Sequence, residues 1–210
     1  MTLQAMKAEL GFLSRPDGSS VLTQGDTSVI AAIYGPGDIK LSREKIEKAT
    51  IDVVYKPKSG LPGCDEKVDE RMIRNICETS IVGSLHPRTA INIITQEVQD
   101  SGSLLSCCIN ASSIALLDAA IPQKFTVAAV TCVFDKDDEL ILNPNLRQEK
   151  ECKAAFTFVF ESTSYETVAT TSFGSYGKEQ LKTALAACKE ASKTLFTFYK
   201  DLLTKKLSKD

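Results

Sequence analysis

The stretch from Phe125 to Phe134, FTVAAVTCVF, limits the fold more than any other. A strand with one wet face alternates apolar and polar residues. This run is nearly continuous in apolar, β-branched and aromatic residues, so it reads as a central strand covered on both faces. No apolar run in the chain approaches the ~18 residues needed to span a membrane. The cover therefore comes from the chain's own helices, packed against sheets.

The rest of the pattern supplies such partners. Asp17-Gly18, in SRPDGSSV, is a hairpin-turn signal. Thr27 to Pro36 and Ala49 to Pro57 read as strands, each closed by a proline. A helix follows over Asp65 to Val82. Its expected apolar stripe carries Val68, Met72, Ile76, Ile73, Cys77 and Ile81, and its polar face Asp69, Glu70, Arg71, Arg74 and Glu78. Thr89 to Val98 alternates like a strand. A small-residue helix then runs to Pro122. After FTVAAVTCVF come a turn (DKDDE), a short strand and a polar loop in LILNPNLRQEKECK, and a hairpin around Ser162 to Ser164. A long helix over Lys178 to Leu203 ends the chain, with 204–210 as a flexible tail. The expected architecture is a mixed α/β (α+β) fold, one domain over 1–210 with its core at about 9–203, its sheets covered by about three helices.

Composition removes whole classes of chemistry. Net charge is −2, so no global basic field recruits nucleic acid, and any such contact must be local. The 7 cysteines are odd in number, form no C-x-x-C pair and lie mostly in apolar runs, which reads as reduced core thiols. The opening MTLQAMKAEL has no basic segment followed by an apolar core, unlike a secretory signal. With one histidine, His86, a His-based zinc cluster is unavailable, and His86 in GSLHPRT reads as a loop residue.

The stretch DSGSLLSCCIN, Asp100 to Asn110, raises the one chemical question. A Gly/Ser turn opening a helix presents free N–H groups and the positive end of the helix dipole, the arrangement that holds phosphate. The signal here is weak, since neither G-x-G-x-x-G nor a P-loop is present, and Ser101 or Ser103 reads first as an N-cap. No spacing commits two carboxylates to one metal or one acid/base pair. Arg71 and Arg74, three apart, are neighbours on a helix face.

Several segments in order resemble the RNase PH family. GFLSRPDGSSVLTQGDTSVIAAIYGP resembles its opening, DERMIRNICETSI its basic helix, and INIITQEVQDSGSLLSCCINASSIALLDAAIP its strand-to-helix segment. The resemblance spans about residues 9 to 200. Within the family, DSGSLLSCCINA, NPNLRQEKECKAAFTFVFES and SFGSYGKEQLKTALAACKEAS look most like a eukaryotic exosome-ring subunit. It implies βαβ-type layers and a six-membered ring of RNase PH-type subunits, capped by S1- and KH-type subunits and threading single-stranded RNA.

Catalytic members cleave the 3′ nucleotide with inorganic phosphate, using an arginine and acidic residues. Matching the G-G-T-R turn of such members places Gly102 and Ser103 on the glycines, Leu104 on the threonine and Leu105 on the arginine. Matching the Asp instead puts Leu104 on the arginine. Either way a leucine replaces the cation. In the acidic loop Asn143 and Asn145 stand with Glu149 as the only carboxylate near the matching position. The resemblance thus implies a degenerate site, no cofactor or metal, and an RNA-binding structural subunit of nucleus, nucleolus and cytoplasm. Arg71, Arg74 and Arg88 are the expected phosphate contacts. The alternative is a nuclease acting outside the ring as a homodimer, with magnesium held by Glu149, Asp100 and the Asp135–Glu139 group.

Overall fold

The computed structural model describes residues 4–208. Strands β1 (Met6–Leu10), β2 (Gly18–Gln24) and β3 (Thr27–Gly37) form an antiparallel meander. Strand β4 (Thr50–Lys56) crosses over through helix α1 (Cys64–Ser80) to β5 (Ala90–Gln99), its parallel neighbour. β5 inserts between β3 and β4, giving the sheet order β1-β2-β3-β5-β4. Helix α2 (Leu104–Asp118) then leads to β6 (Val127–Phe134), β7 (Leu140–Leu142), helix α3 (Leu146–Glu151), β8 (Ala154–Glu161) and β9 (Thr167–Gly174). These strands make a second, antiparallel sheet ordered β7-β6-β8-β9, and helix α4 (Lys178–Leu207) follows.

FTVAAVTCVF behaves as its composition requires. All of β6 is buried, with α2 packed on it from one side and α4 from the other. Helix α2 also packs on β2 and β3, so it joins the two sheets. Every residue from Ser106 to Leu116 is buried, so α2 has no wet face. Two of its three serines find acceptors for their hydroxyls, Ser106 Oγ donating to Ser103 O at 2.8 Å and Ser112 Oγ to Cys108 O at 2.8 Å, while the buried Ser113 hydroxyl has no partner among the described residues. Contact with β2 is close enough that a Cβ on Gly18 would lie 2.4 Å from Ala119 N.

Five expectations change. The tight hairpin lies at Gly25-Asp26, between β2 and β3, while Asp17-Gly18 ends a longer loop from β1 and begins β2. On α1, Val68 is 65% exposed and Glu70 is buried with Ile73, Ile76 and Cys77. Glu70 turns inward because it is bonded there: its carboxylate accepts from Tyr55 N–H at 3.2 Å, Lys67 at 2.9 Å and Arg74 at 3.4 Å. The polar segment QEKE is not a loop but belongs to α3, started by an Asn145 capping box in which Gln148 Oε1 accepts from Asn145 N–H. That adds a fourth helix. The C-terminal helix continues through Thr204–Leu207 of the expected tail, and Lys209 and Asp210 lie outside the described residues. Of the seven cysteines, Cys64 is exposed, Cys152 half-buried and the other five buried, all as free thiols.

Candidate functional site at the start of the central helix

Strand β5 ends at Gln99, and the chain turns through Asp100, Ser101, Gly102 and Ser103 into α2. Asp100 shapes the turn, its Oδ1 accepting from Gly102 N–H at 2.9 Å. Thr27 clamps it from β3: Ser101 N–H donates to Thr27 Oγ1 at 3.0 Å, and that hydroxyl donates to Gly102 O at 2.7 Å. Gly102 sits at φ +112°, and a Cβ there would lie 2.4 Å from Pro144 O and 2.6 Å from Leu146 N. Only glycine satisfies both the backbone angle and that approach.

The segment from Asn143 to Glu149 closes over this turn. Leu146 N–H donates to Ser101 O at 2.7 Å, and Ser103 Oγ to Pro144 O at 3.1 Å. Ser103 is the N-cap residue, but it lies in the left-handed region at φ 56° and its hydroxyl caps nothing. This corrects the expectation of a serine cap. Glu149 takes that place: its Oε2 accepts from Ser103 N–H at 3.3 Å. The positive end of α2 therefore already faces a carboxylate from α3. Burial holds the Glu149 carboxyl above the ordinary glutamate range, the Ser103 N–H pulls it down, and nearby Asp100 pushes it up.

The seven positions expected to form a degenerate site are thus brought together. Leu104 and Leu105 open α2 and pack against the hydrophobic core, bringing no positive charge. Asn143 is buried at φ 50°, its carbonyl accepting from Gln4 Nε2 at 2.7 Å, and Asn145 Oδ1 accepts from the same nitrogen at 3.1 Å. Sequence reasoning did not find Thr27, Pro144 or Gln4, whose roles arise only when distant segments meet. Asp100-Ser-Gly was the readable local sign, an Asx turn.

The basic residues do not converge on this turn. Arg71 is exposed on α1, beside Met72 and β9. Arg74, four residues after Glu70, is ion-paired with it. Arg88, at φ 60° in the loop before β5, pairs with Glu44 at 3.5 Å, and no contact joins it to the other two among the described residues. Of the carboxylates considered for magnesium, Asp100 and Glu149 meet at the turn. The Asp135–Glu139 group sits at the β6–β7 tip, with Asp138 accepting from Lys153 at 2.7 Å and Gln180 at 2.8 Å. Among the described residues no three His, Cys, Asp or Glu side chains converge as a metal site.

The sequence model for domain 1 of the 3′ exoribonuclease family matches residues 2–122, and that for domain 2 matches residues 126–191. The chain belongs to this RNase PH family. The boundary between the two matches falls between α2 and β6, where one sheet gives way to the other. Among RNase PH relatives, the Arabidopsis thaliana exosome complex exonuclease RRP46 homolog is 40% identical over 162 residues, covering 77% of this chain and 68% of that protein. The Caenorhabditis elegans exosome complex component RRP46 homolog is 32% identical across 99% of this chain and 97% of its own. The crystal structure of rice Rrp46 superposes with a TM-score of 0.92 at 32% identity, covering 97% of this chain and 96% of that one. An archaeal exosome core subunit, at 15% identity and a TM-score of 0.80 over 95% and 87% of the two chains, shares the RNase PH fold.

Proposed function

We propose that this chain is a non-catalytic structural and RNA-binding subunit of an RNA exosome ring, supporting 3′-to-5′ RNA processing and degradation. Its relatives named for the exosome complex, one as an exonuclease and one as a component, support the assembly. The Glu149 carboxylate at the head of α2 carries the non-catalytic part. Phosphorolysis needs a preorganised site for an incoming phosphate dianion, with donors and a guanidinium aimed at it. Here the turn carries two carboxylates, Asp100 and Glu149, and leucines where a cation would stand. A phosphate would have to displace an internal anion and meet a like charge, with no arginine in compensation.

In this reading other RNase PH-type subunits flank the chain, S1- and KH-type subunits cap the ring, and single-stranded RNA passes through it. The protein works in nucleus, nucleolus and cytoplasm, and forms a homodimer when isolated. The test is a nuclease assay of the purified chain on single-stranded RNA, with and without phosphate and magnesium, beside a binding assay on the same RNA. Binding without shortening is expected. Robust phosphate-dependent shortening would overturn the non-catalytic assignment.

A further inference from the structure

Helix α4 repeats a charge pattern every eleven residues. Lys178-Glu179, Lys189-Glu190 and Lys200-Asp201 open successive blocks, and the first two blocks carry another lysine at their fifth position, Lys182 and Lys193. At ~3.6 residues per turn, eleven residues fall within about 20° of three whole turns. The five lysines therefore keep to one stripe, about 60° wide and about 33 Å long. Lys178, Lys182, Lys193 and Lys200 are exposed and Lys189 is half-buried. The opposite side of the helix holds the buried Ala184, Cys188, Ala191, Leu195 and Tyr199, so the stripe faces outward.

The rest of the helix does not neutralise this ridge. Seven lysines against three carboxylates leave α4 at +4, in a chain whose net charge is −2. Glu179, Glu190 and Asp201 form a row to one side of the lysines. Among the described residues one of the five lysines carries an ion pair, Lys193 with Glu190 at 2.7 Å, and both partners are exposed. Such a pair contributes little and opens readily. Lys193 also lies over the ring of Tyr165, with Nζ 5.9 Å from its centroid. α4 thus supplies the local basic field that a chain without a global one needs in order to hold a polyanion.

The chemistry of the ridge narrows its partner. Lysines are flexible point charges with three donors each, suited to phosphates and blind to base sequence. A lipid surface fits poorly. A helix that lies on a membrane buries its apolar face there, and that face of α4 is already packed on β6 and β8. A flexible single strand can bring a phosphate to each lysine in turn, as a backbone laid along a row of charges does.

We propose that the lysine ridge of α4 binds the phosphate backbone of single-stranded RNA, independently of base sequence. This rests on the RNA-binding reading above and gives it a surface on a different element from the three arginines. The test is fluorescence anisotropy of a labelled polyuridylate over a salt series, with circular dichroism confirming the fold. It compares the wild-type chain, the triple variant Lys182→Gln, Lys189→Gln, Lys200→Gln, the same three positions changed to arginine, and the β1 variant Lys7→Gln. Each phosphate contact adds ~0.7 to the slope of log affinity against log salt, so the glutamine triple is expected to lower it by about 2 and to weaken binding at least about tenfold. The arginine triple and Lys7→Gln are expected to bind like the wild type. Labelled poly-glutamate is expected to bind much more weakly than the RNA, and equal binding would overturn the choice of RNA as partner. Wild-type affinity and slope in the glutamine triple, or a loss that arginine does not restore, would overturn the ridge and leave RNA binding elsewhere on the chain standing. A wild-type chain that binds no RNA overturns both, without bearing on membership of the ring.

Discussion

The carboxamide of Asn110 grips the backbone of Ala129 at both ends: Nδ2 donates to Ala129 O at 2.9 Å, and Ala129 N–H donates to Oδ1 at 2.7 Å. This reproduces the paired bonds of a neighbouring strand at a point of β6 that β7 does not reach. Tyr199 of α4 donates to the same Oδ1 at 3.0 Å. One fully buried side chain of the central helix thus ties β6 and α4 together.

Asn110→Ala removes all three bonds and strands a buried N–H, a carbonyl and a hydroxyl. Each unsatisfied buried group costs ~1–3 kcal/mol, so a combined loss of about 3–5 kcal/mol is expected from urea denaturation. Tyr199→Phe deletes one bond and leaves Asn110 on Ala129, so about 1 kcal/mol should go. A loss below that level for Asn110→Ala would show that the bridge is incidental.

Gly102→Ala tests whether the Asn143–Glu149 segment is fastened to the α2 turn. The added Cβ meets Pro144 O and Leu146 N at well under contact distance, and φ +112° is itself strained for alanine. The segment must move away, breaking the bonds from Leu146 N–H and Ser103 Oγ. A stability loss of roughly 2–4 kcal/mol is expected. Hydrogen exchange should show faster amides in α3 while β8 stays protected. Unchanged α3 protection would contradict the coupling.

Glu149 makes stability depend on pH in a defined direction. Its carboxyl is held above the ordinary glutamate range, chiefly by burial. The native state therefore binds that proton more tightly than the unfolded chain. The group's contribution is greatest below its unfolded value and declines as pH rises through the folded one. Glu149→Gln keeps an acceptor for Ser103 N–H and has nothing to titrate. Denaturation curves from acidic to neutral pH should show the wild type losing ground to Glu149→Gln through the mildly acidic range, with a constant difference above it. Parallel curves at every pH would refute this.

The sequence disclosed most where one local rule decides. FTVAAVTCVF had to be a doubly covered strand, and the αβ order followed from periodicity and punctuation. Gly102 was already marked by the turn. Legibility ended where a side chain's partner lies far along the chain. Glu70 sits on the nominally polar face of α1, and nothing near it says that Tyr55 N–H waits there. Val68 matches the apolar stripe, yet it lies outside the core. The serine beside Gly102 fits an N-cap by residue type, but its left-handed conformation points the hydroxyl at Pro144 O, and Glu149 from 46 positions away serves the helix instead.

RNA binding separates the three arginines. A phosphate contact on single-stranded RNA adds ~0.7 to the slope of log affinity against log salt. Arg71 carries no ion pair among the described residues, and Arg88 only an exposed one at 3.5 Å. Arg74 is tied to buried Glu70, which also holds Lys67 and the backbone of β4. Arg71→Ala and Arg88→Ala should each lower affinity and reduce the salt slope by about 0.7 while leaving the melting temperature in place. Arg74→Ala should act mainly on stability, because it leaves the Glu70 carboxylate with one cation fewer. Fluorescence anisotropy on one RNA over a salt series, with thermal denaturation of the same samples, separates these effects. Unchanged affinity and slope in all three variants would remove these arginines from RNA binding.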